Sequence, residues 1–200
     1  MRMMSQFRSA RLGRRLLVRF GKDRRGVAAV EFAFIVPLML VLLFGMIDTS
    51  SGVAINRKVT LTARTVSDLV SQGATVSSTD LSNFFKMGSA VMTPYQVTTA
   101  TLEQRVSAVS VDASKNAKVV WSYKASVNGG TATVTKGYEA GAAVTTIPAN
   151  LLVANTQLIW SEVTYNYIPI TGYVLGKAVI PLSEDTFTRP RQSNKVDYTS

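Results

Sequence analysis

Between Val27 and Ile47 the chain runs through 21 residues whose only charged member is Glu31. At ~1.5 Å per residue a helix of that length spans about 31 Å, the thickness of a bilayer's hydrocarbon core. Its apolar residues form no stripe. They surround the axis, the pattern of a helix immersed in lipid or in the centre of an assembly. A helix inside a soluble core is a poor alternative at this length. The segment is therefore read as a single membrane span, and of 200 residues what remains outside it suffices for one modest domain.

The formal net charge of +10 would point to nucleic acid if it were spread along the chain. It is not: residues 1–26 hold eight arginines and Lys22 against Asp23, a net of +8, which leaves +2 for everything after Gly26. Lys and Arg flanking a span are retained on the cytoplasmic side. The arm thus reads as a cytoplasmic leader, the domain after the span lies on the other side, and nucleic acid is not needed as a partner.

The absence of cysteine removes disulfides and thiolate metal sites, and the absence of histidine removes the commonest general base. Glu103, Asp112, Glu139 and Glu162 are scattered, and adjacent Glu184 and Asp185 would point to opposite faces of a strand. Asn128-Gly129-Gly130 lacks the lysine and helix of a phosphate loop. The sequence therefore presents no catalytic residues, no metal site, no cofactor and no small-molecule substrate. A protein that works by contacts is expected.

An ionised Glu31 without a partner, one turn into the hydrocarbon, would cost about 2.5–3.5 kcal/mol. Reaching headgroup water, or pairing with Arg24 or Arg25, would relieve it. The spacing to Gly26 offers another role. In Gly26-Val27-Ala28-Ala29-Val30-Glu31-Phe32 a glycine precedes an apolar helix, a glutamate stands fifth after it, and an aromatic residue follows. This resembles the processing site of type IV prepilins, in particular the Flp subclass. The resemblance implies that a prepilin peptidase cuts between Gly26 and Val27. It further implies that Glu31, beside Phe32, pairs with the new Val27 ammonium of a neighbouring subunit and so sets assembly register. Removing one partner of such a desolvated pair typically costs about 3–5 kcal/mol.

The wider run, Arg24-Arg25-Gly26-Val27 followed by AAVEFAFIVPLMLVLLFGMID ending at Asp48, is similar to the start of TadE/TadG-like proteins of tight-adherence (Flp) pilus systems. Pro37 within it removes one helical hydrogen bond and implies a kink. Thr186 to Asn194, followed by Lys195 and Val196, is similar to TadE-like C-termini, in which an aromatic strand ends in a Pro-Arg sequence. The resemblance implies a minor pilin or pseudopilin in the inner membrane, supporting assembly of a tight-adherence pilus. Its implied partners are the membrane, prepilin peptidase, other pilins and pilus assembly proteins. An uncleaved, membrane-anchored periplasmic scaffold or binding module, TadG-like, would use the same anchor.

Two other readings fit less well. An ordinary secretory signal peptide would use an apolar stretch of roughly 7–15 residues without an internal glutamate. Asp48-Thr49-Ser50-Ser51-Gly52 resembles the metal-binding Asp-x-Ser-x-Ser motif of von Willebrand type A domains, present in some larger TadG relatives, but its fifth position is Gly52 and it abuts the span. It is read as a junction between helix and interface.

Beyond the span, Ile55, Val59, Thr62, Val66 and Leu69 recur at spacings of three and four, predicting an amphipathic continuation to about Gln72, with Gly73 as a left-handed stop. Ser78-Thr79-Asp80 predicts the start of a second helix carrying Leu81, Phe84, Phe85, Gly88 and Met92 and ending before Pro94. From Gln104 onward valine, threonine and aromatic residues signal strands. A hairpin is predicted across Asn128-Gly129-Gly130, with Val119, Trp121 and Tyr123 on one side and Thr131–Lys136 returning. A longer strand is predicted over Gln157–Tyr167, Gly137–Ala149 as an extended loop, and edge strands over Tyr173–Ile180 and Asp185–Arg189. Trp121, Tyr123, Trp160, Tyr165 and Tyr167 are expected in the sheet's core. The expected fold is α+β: a long N-terminal helix, half transmembrane and half amphipathic, packed on a small antiparallel sheet as in pilins. Its expected organisation is a leader over 1–26, the span over 27–47, the helix continuation over 48–73 and an extracytoplasmic domain over 74–200.

Overall fold

The computed structural model describes residues 25–175 and 179–199, with the backbone alone for Arg25 and residues 173–175. The basic leader over residues 1–24 lies outside the described residues. Helix α1, Arg25–Ser71, is continuous over 47 residues. The chain divides into two compact units between Ile47 and Asp48. Within the first unit, fourteen large apolar side chains between Val27 and Ile47 are exposed.

In the second unit α1 is amphipathic. Ile55, Val59, Thr62, Ala63, Val66, Ser67 and Val70 are buried, whereas Leu69, expected on that face, is only half-buried beside Val70. The helix ends as expected at Ser71. Gly73 acts by close approach and not by a left-handed turn, since a Cβ there would lie 2.9 Å from the Thr75 carbonyl oxygen. Strand β1 (Thr75–Ser77) leads into α2 (Ser78–Val91). Ser77 caps α2 through a capping box: its hydroxyl accepts the Asp80 N–H at 3.2 Å, and the Asp80 carboxylate accepts the Ser77 N–H at 3.0 Å.

The main sheet comprises β2 (Leu102–Val111), β3 (Ala117–Asn128), β4 (Thr131–Lys136), the short β5 (Ala143–Val144), β6 (Thr156–Tyr167) and β7 (Ile180–Thr188). Its order is β4-β3-β2-β6-β7, with β5 beside β3, and every pairing is antiparallel. A separate parallel pair joins β1 to β8 (Asp197–Thr199). The α+β architecture expected from the sequence, a long helix followed by an antiparallel sheet, is the one that forms.

One sheet face lies under α1 and α2. Val66, Val70, Leu81 and Phe85 pack there with Val106, Ala108, Trp121 and Ile159, while Ile55, Val59 and Ala63 pack with Leu102, Val163 and Tyr165. The other face carries Val109, Val111, Val119, Leu158 and Trp160, covered by Ile147. The strand over Thr156–Tyr167 therefore alternates as expected, with Ile159, Ser161, Val163 and Tyr165 toward the helices.

Strand β3 does not. Val109 pairs with Val119 but Ala108 pairs with Trp121, so Val120 is an extra residue in the ladder. This β-bulge reverses the facing of everything after it. Val119, expected beside Trp121 and Tyr123, lies on the opposite face. Of the five aromatics expected in the core, Trp121, Trp160 and Tyr165 are buried, and Tyr123 and Tyr167 are half-buried. The hairpin follows its turn residues: Gly129 and Gly130 take φ of +55° and +80° between paired Asn128 and Thr131. Gly137–Ala149 is not wholly a loop, because Ala143 and Val144 pair with Lys118 and Ala117.

A second correction concerns Tyr173–Ile180. Residues Tyr173–Leu175, expected in an edge strand, belong to a short helix α3 (Ile170–Leu175). The Asp48 carboxylate accepts the N–H groups of Ile170 and Thr171, which would otherwise be left without partners in a first turn. The strand proper starts at Ile180, includes Pro181 and absorbs the Asp185 segment as one edge strand.

Candidate functional site

The residues singled out by the sequence, Gly26, Val27, Glu31, Phe32 and Pro37, all lie in the first half of α1. Gly26 stands in the first turn, and a Cβ built there would meet nothing within 4 Å. Neither packing nor a left-handed backbone requires glycine at this position, although glycine weakens a helix by roughly 0.5–1 kcal/mol relative to alanine. Val27, Glu31 and Phe32 are exposed, Phe32 to 67%. The Glu31 carboxylate has no hydrogen-bond or ion-pair partner among the described residues. Arg24 and the Arg25 side chain, its alternative partners, lie outside them. Pro37 stands inside the continuous helix, where its missing N–H leaves the Ala33 carbonyl without its usual donor.

α1 is the one helix among the described residues long and apolar enough to cross a membrane. Magnitudes favour insertion despite Glu31. Even at about 1 kcal/mol for each part-covered apolar side chain, fourteen of them outweigh the roughly 3 kcal/mol cost of one carboxylate in hydrocarbon.

The end of the apolar run is marked by a constellation that sequence spacing does not reveal. Asp48 is 9% exposed. It accepts the amides of Ile170 at 2.8 Å and Thr171 at 2.9 Å, the Thr171 hydroxyl at 2.5 Å and the Tyr167 hydroxyl at 3.3 Å. The Thr171 hydroxyl, with the two amides and Tyr167, holds the Asp48 carboxyl below the ordinary aspartate value despite burial. Burial, together with the same charge, pushes the Tyr167 phenol up. Asp48 thus serves as a clasp on the segment after β6. No group of three or more His, Cys, Asp or Glu that could hold a metal occurs among the described residues.

Two carboxylates that look scattered in sequence, Glu103 and Glu162, do meet, but around Arg105, at 2.8 Å and 3.4 Å. Tyr138 donates to Glu162 at 2.9 Å, and the Arg105 guanidinium sits 4.4 Å from the Tyr138 ring centre. Burial pushes the Glu162 carboxyl up, with Arg105 opposing. The cluster lies on the sheet face away from α1, where cross-strand register pairs Arg105 with Glu162. Glu184 and Asp185 face opposite sides, opposite Val163 and Glu162 respectively.

The C-terminal Pro-Arg segment has a structural role in the second unit. The Arg191 N–H donates to the Ser71 carbonyl at 2.9 Å, and its guanidinium pairs with Asp68. It satisfies a carbonyl in the last turn of α1, where helices leave such groups open.

Residues 26–68 match the model of the TadE-like protein family, the family that the sequence resembles. The match covers the apolar run, Asp48 and most of the amphipathic continuation. Neither a curated protein nor a solved structure shows significant similarity to the chain.

Proposed function

We propose that this protein is a minor pilin or pseudopilin that supports assembly of a tight-adherence pilus from the inner membrane. One observation carries the reading: at the head of an exposed apolar helix stands a glycine that the fold does not require, five residues before a carboxylate that has no partner among the described residues, within the TadE-like match. A residue with no role inside the fold is explained by recognition from outside. In this reading prepilin peptidase cuts between Gly26 and Val27, removing the basic leader from the cytoplasmic side. The Val27 ammonium of a neighbouring subunit then becomes the partner of Glu31, and a subunit out of register leaves the charge unpaired in an apolar setting. Phe32 packs beside that pair. Pro37 bends the span over residues 27–47, residues 48–73 carry the helix into the domain, and residues 74–200 meet other pilins and pilus assembly proteins outside the cytoplasm. The protein acts by contacts and not by catalysis.

Intact mass of the membrane-extracted protein, co-expressed with a prepilin peptidase, tests the reading. Loss of residues 1–26 with Val27 at the N-terminus is expected. Retention of the basic arm would favour the uncleaved scaffold.

A further inference from the structure

We propose that the surface formed by Ile168, Ile170, Val179 and Ile180 is a second membrane contact, resting in the headgroup layer of the bilayer that α1 enters. The inference rests on the reading of residues 27–47 as a span. Asp48 is the first residue after the apolar run, so covalent geometry places its Cα ~3.8 Å from that of Ile47. Its carboxylate holds the amides of Ile170 and Thr171 at 2.8 and 2.9 Å and the Tyr167 hydroxyl at 3.3 Å. Residues 167–171 are thereby held to the residue that directly follows the span.

What this clasp presents is apolar. Ile168, Ile170, Val179 and Ile180 are exposed to 38%, 49%, 51% and 44%. Single exposed apolar residues are ordinary, but four along one connection are not. The sequence from Ile168 to Ile180 carries one charge, Lys177, and no carboxylate. Two other connections differ in kind: residues 112–116 carry Asp112 and Lys115, and residues 189–195 carry Arg189, Arg191 and Lys195. The Asp48 carboxylate that holds this connection is already met by several donors, so it needs little water of its own. Tyr167, half-buried with its hydroxyl on Asp48, has the mixed apolar and polar character found at bilayer interfaces. A lipid surface suits these features: exposed apolar side chains, an amphipathic tyrosine, and covalent continuity with a span.

The natural absence of cysteine makes the test direct. Single variants Ile170→Cys and Val179→Cys, with Phe34→Cys in the span and Ser114→Cys on a polar turn, are labelled with an environment-sensitive dye. The full chain is reconstituted into phosphatidylcholine–phosphatidylglycerol vesicles containing lipids spin-labelled at shallow or deep acyl carbons. The expected result is strong quenching at positions 170 and 179 by the shallow label, about threefold above Ser114→Cys, with Phe34→Cys quenched more by the deep label. Quenching at 170 and 179 no greater than at 114, while Phe34→Cys is quenched, overturns the proposal and leaves the span intact. The same holds for a blue-shifted but unquenched dye, which means that protein covers the patch. An unquenched Phe34→Cys overturns the span and the proposal together.

Discussion

Replacing Gly88 with alanine sets two effects against each other, and the structure says which wins. Alanine is the better helix former by roughly 0.5–1 kcal/mol. The added Cβ, however, would lie 2.6 Å from Val66 Cγ2 and 3.4 Å from Thr62 Cγ2, and would collide with Gln104 Oε1. Carbon atoms prefer ~3.5–4.0 Å, so the overlap with Val66 is about 1 Å, and overpacking of this kind costs about 1–3 kcal/mol. Gln104 cannot simply swing away, because it is buried and its Nε2 donates to the Phe85 carbonyl at 3.0 Å. Losing that bond would add about 1 kcal/mol. The expected net loss is about 1–3 kcal/mol, which for a domain of this size lowers Tm by roughly 2–12 °C. Thermal unfolding of the full chain in detergent, followed by the fluorescence of Trp121 and Trp160, measures it. Val66→Ala in the Gly88→Ala background should recover part of the loss, with a coupling of about 1 kcal/mol. A Gly88→Ala protein as stable as the parent would refute the close approach of α2 to α1.

Ser77→Ala removes the side-chain half of the α2 capping box and should cost about 1 kcal/mol by urea unfolding, while Ser78→Ala, on an exposed first-turn residue, should cost much less. Asp48 has a folded pKa below its unfolded value, so its charged form stabilises the fold above about pH 4, and that contribution is lost as pH falls through the folded value. Asp48→Asn should therefore flatten the acid limb of the stability profile and speed hydrogen exchange at the Ile170 and Thr171 amides; unchanged exchange would dismiss the clasp. Gly26→Leu should block trimming, whereas Glu31→Ala should be trimmed normally yet assemble poorly, both read by intact mass and by recovery of pili. Tyr123 has its phenol pushed up to about 12, chiefly by burial, so folded-state stability should fall as pH rises from about 10 toward that value, measurable by tyrosinate absorbance with parallel unfolding curves.

The sequence determined whatever depends on local periodicity. An apolar run of 21 residues, a spacing of three and four from Ile55 to Val66, the polar start at Ser78-Thr79-Asp80 and the Gly129-Gly130 turn each carry their physics within a few residues, so helices and hairpin were legible, although the cap itself is Ser77. The Gly26–Glu31 pattern was legible for the same reason, since its partners are separated by five positions of one helix. Tertiary structure alone decided features whose partners are far apart in the chain. The bulge at Val120 depends on how β3 meets β2, and period-two reasoning along β3 by itself placed Val119 on the wrong face. The helix that starts at Ile170 takes in Tyr173–Leu175, where a strand was expected, and Asp48, 122 residues earlier, supplies partners for its first amides. That carboxylate looked like the mere end of an apolar run, and only folding, by bringing backbone amides to it, made it the fastening between the helix and the segment after β6.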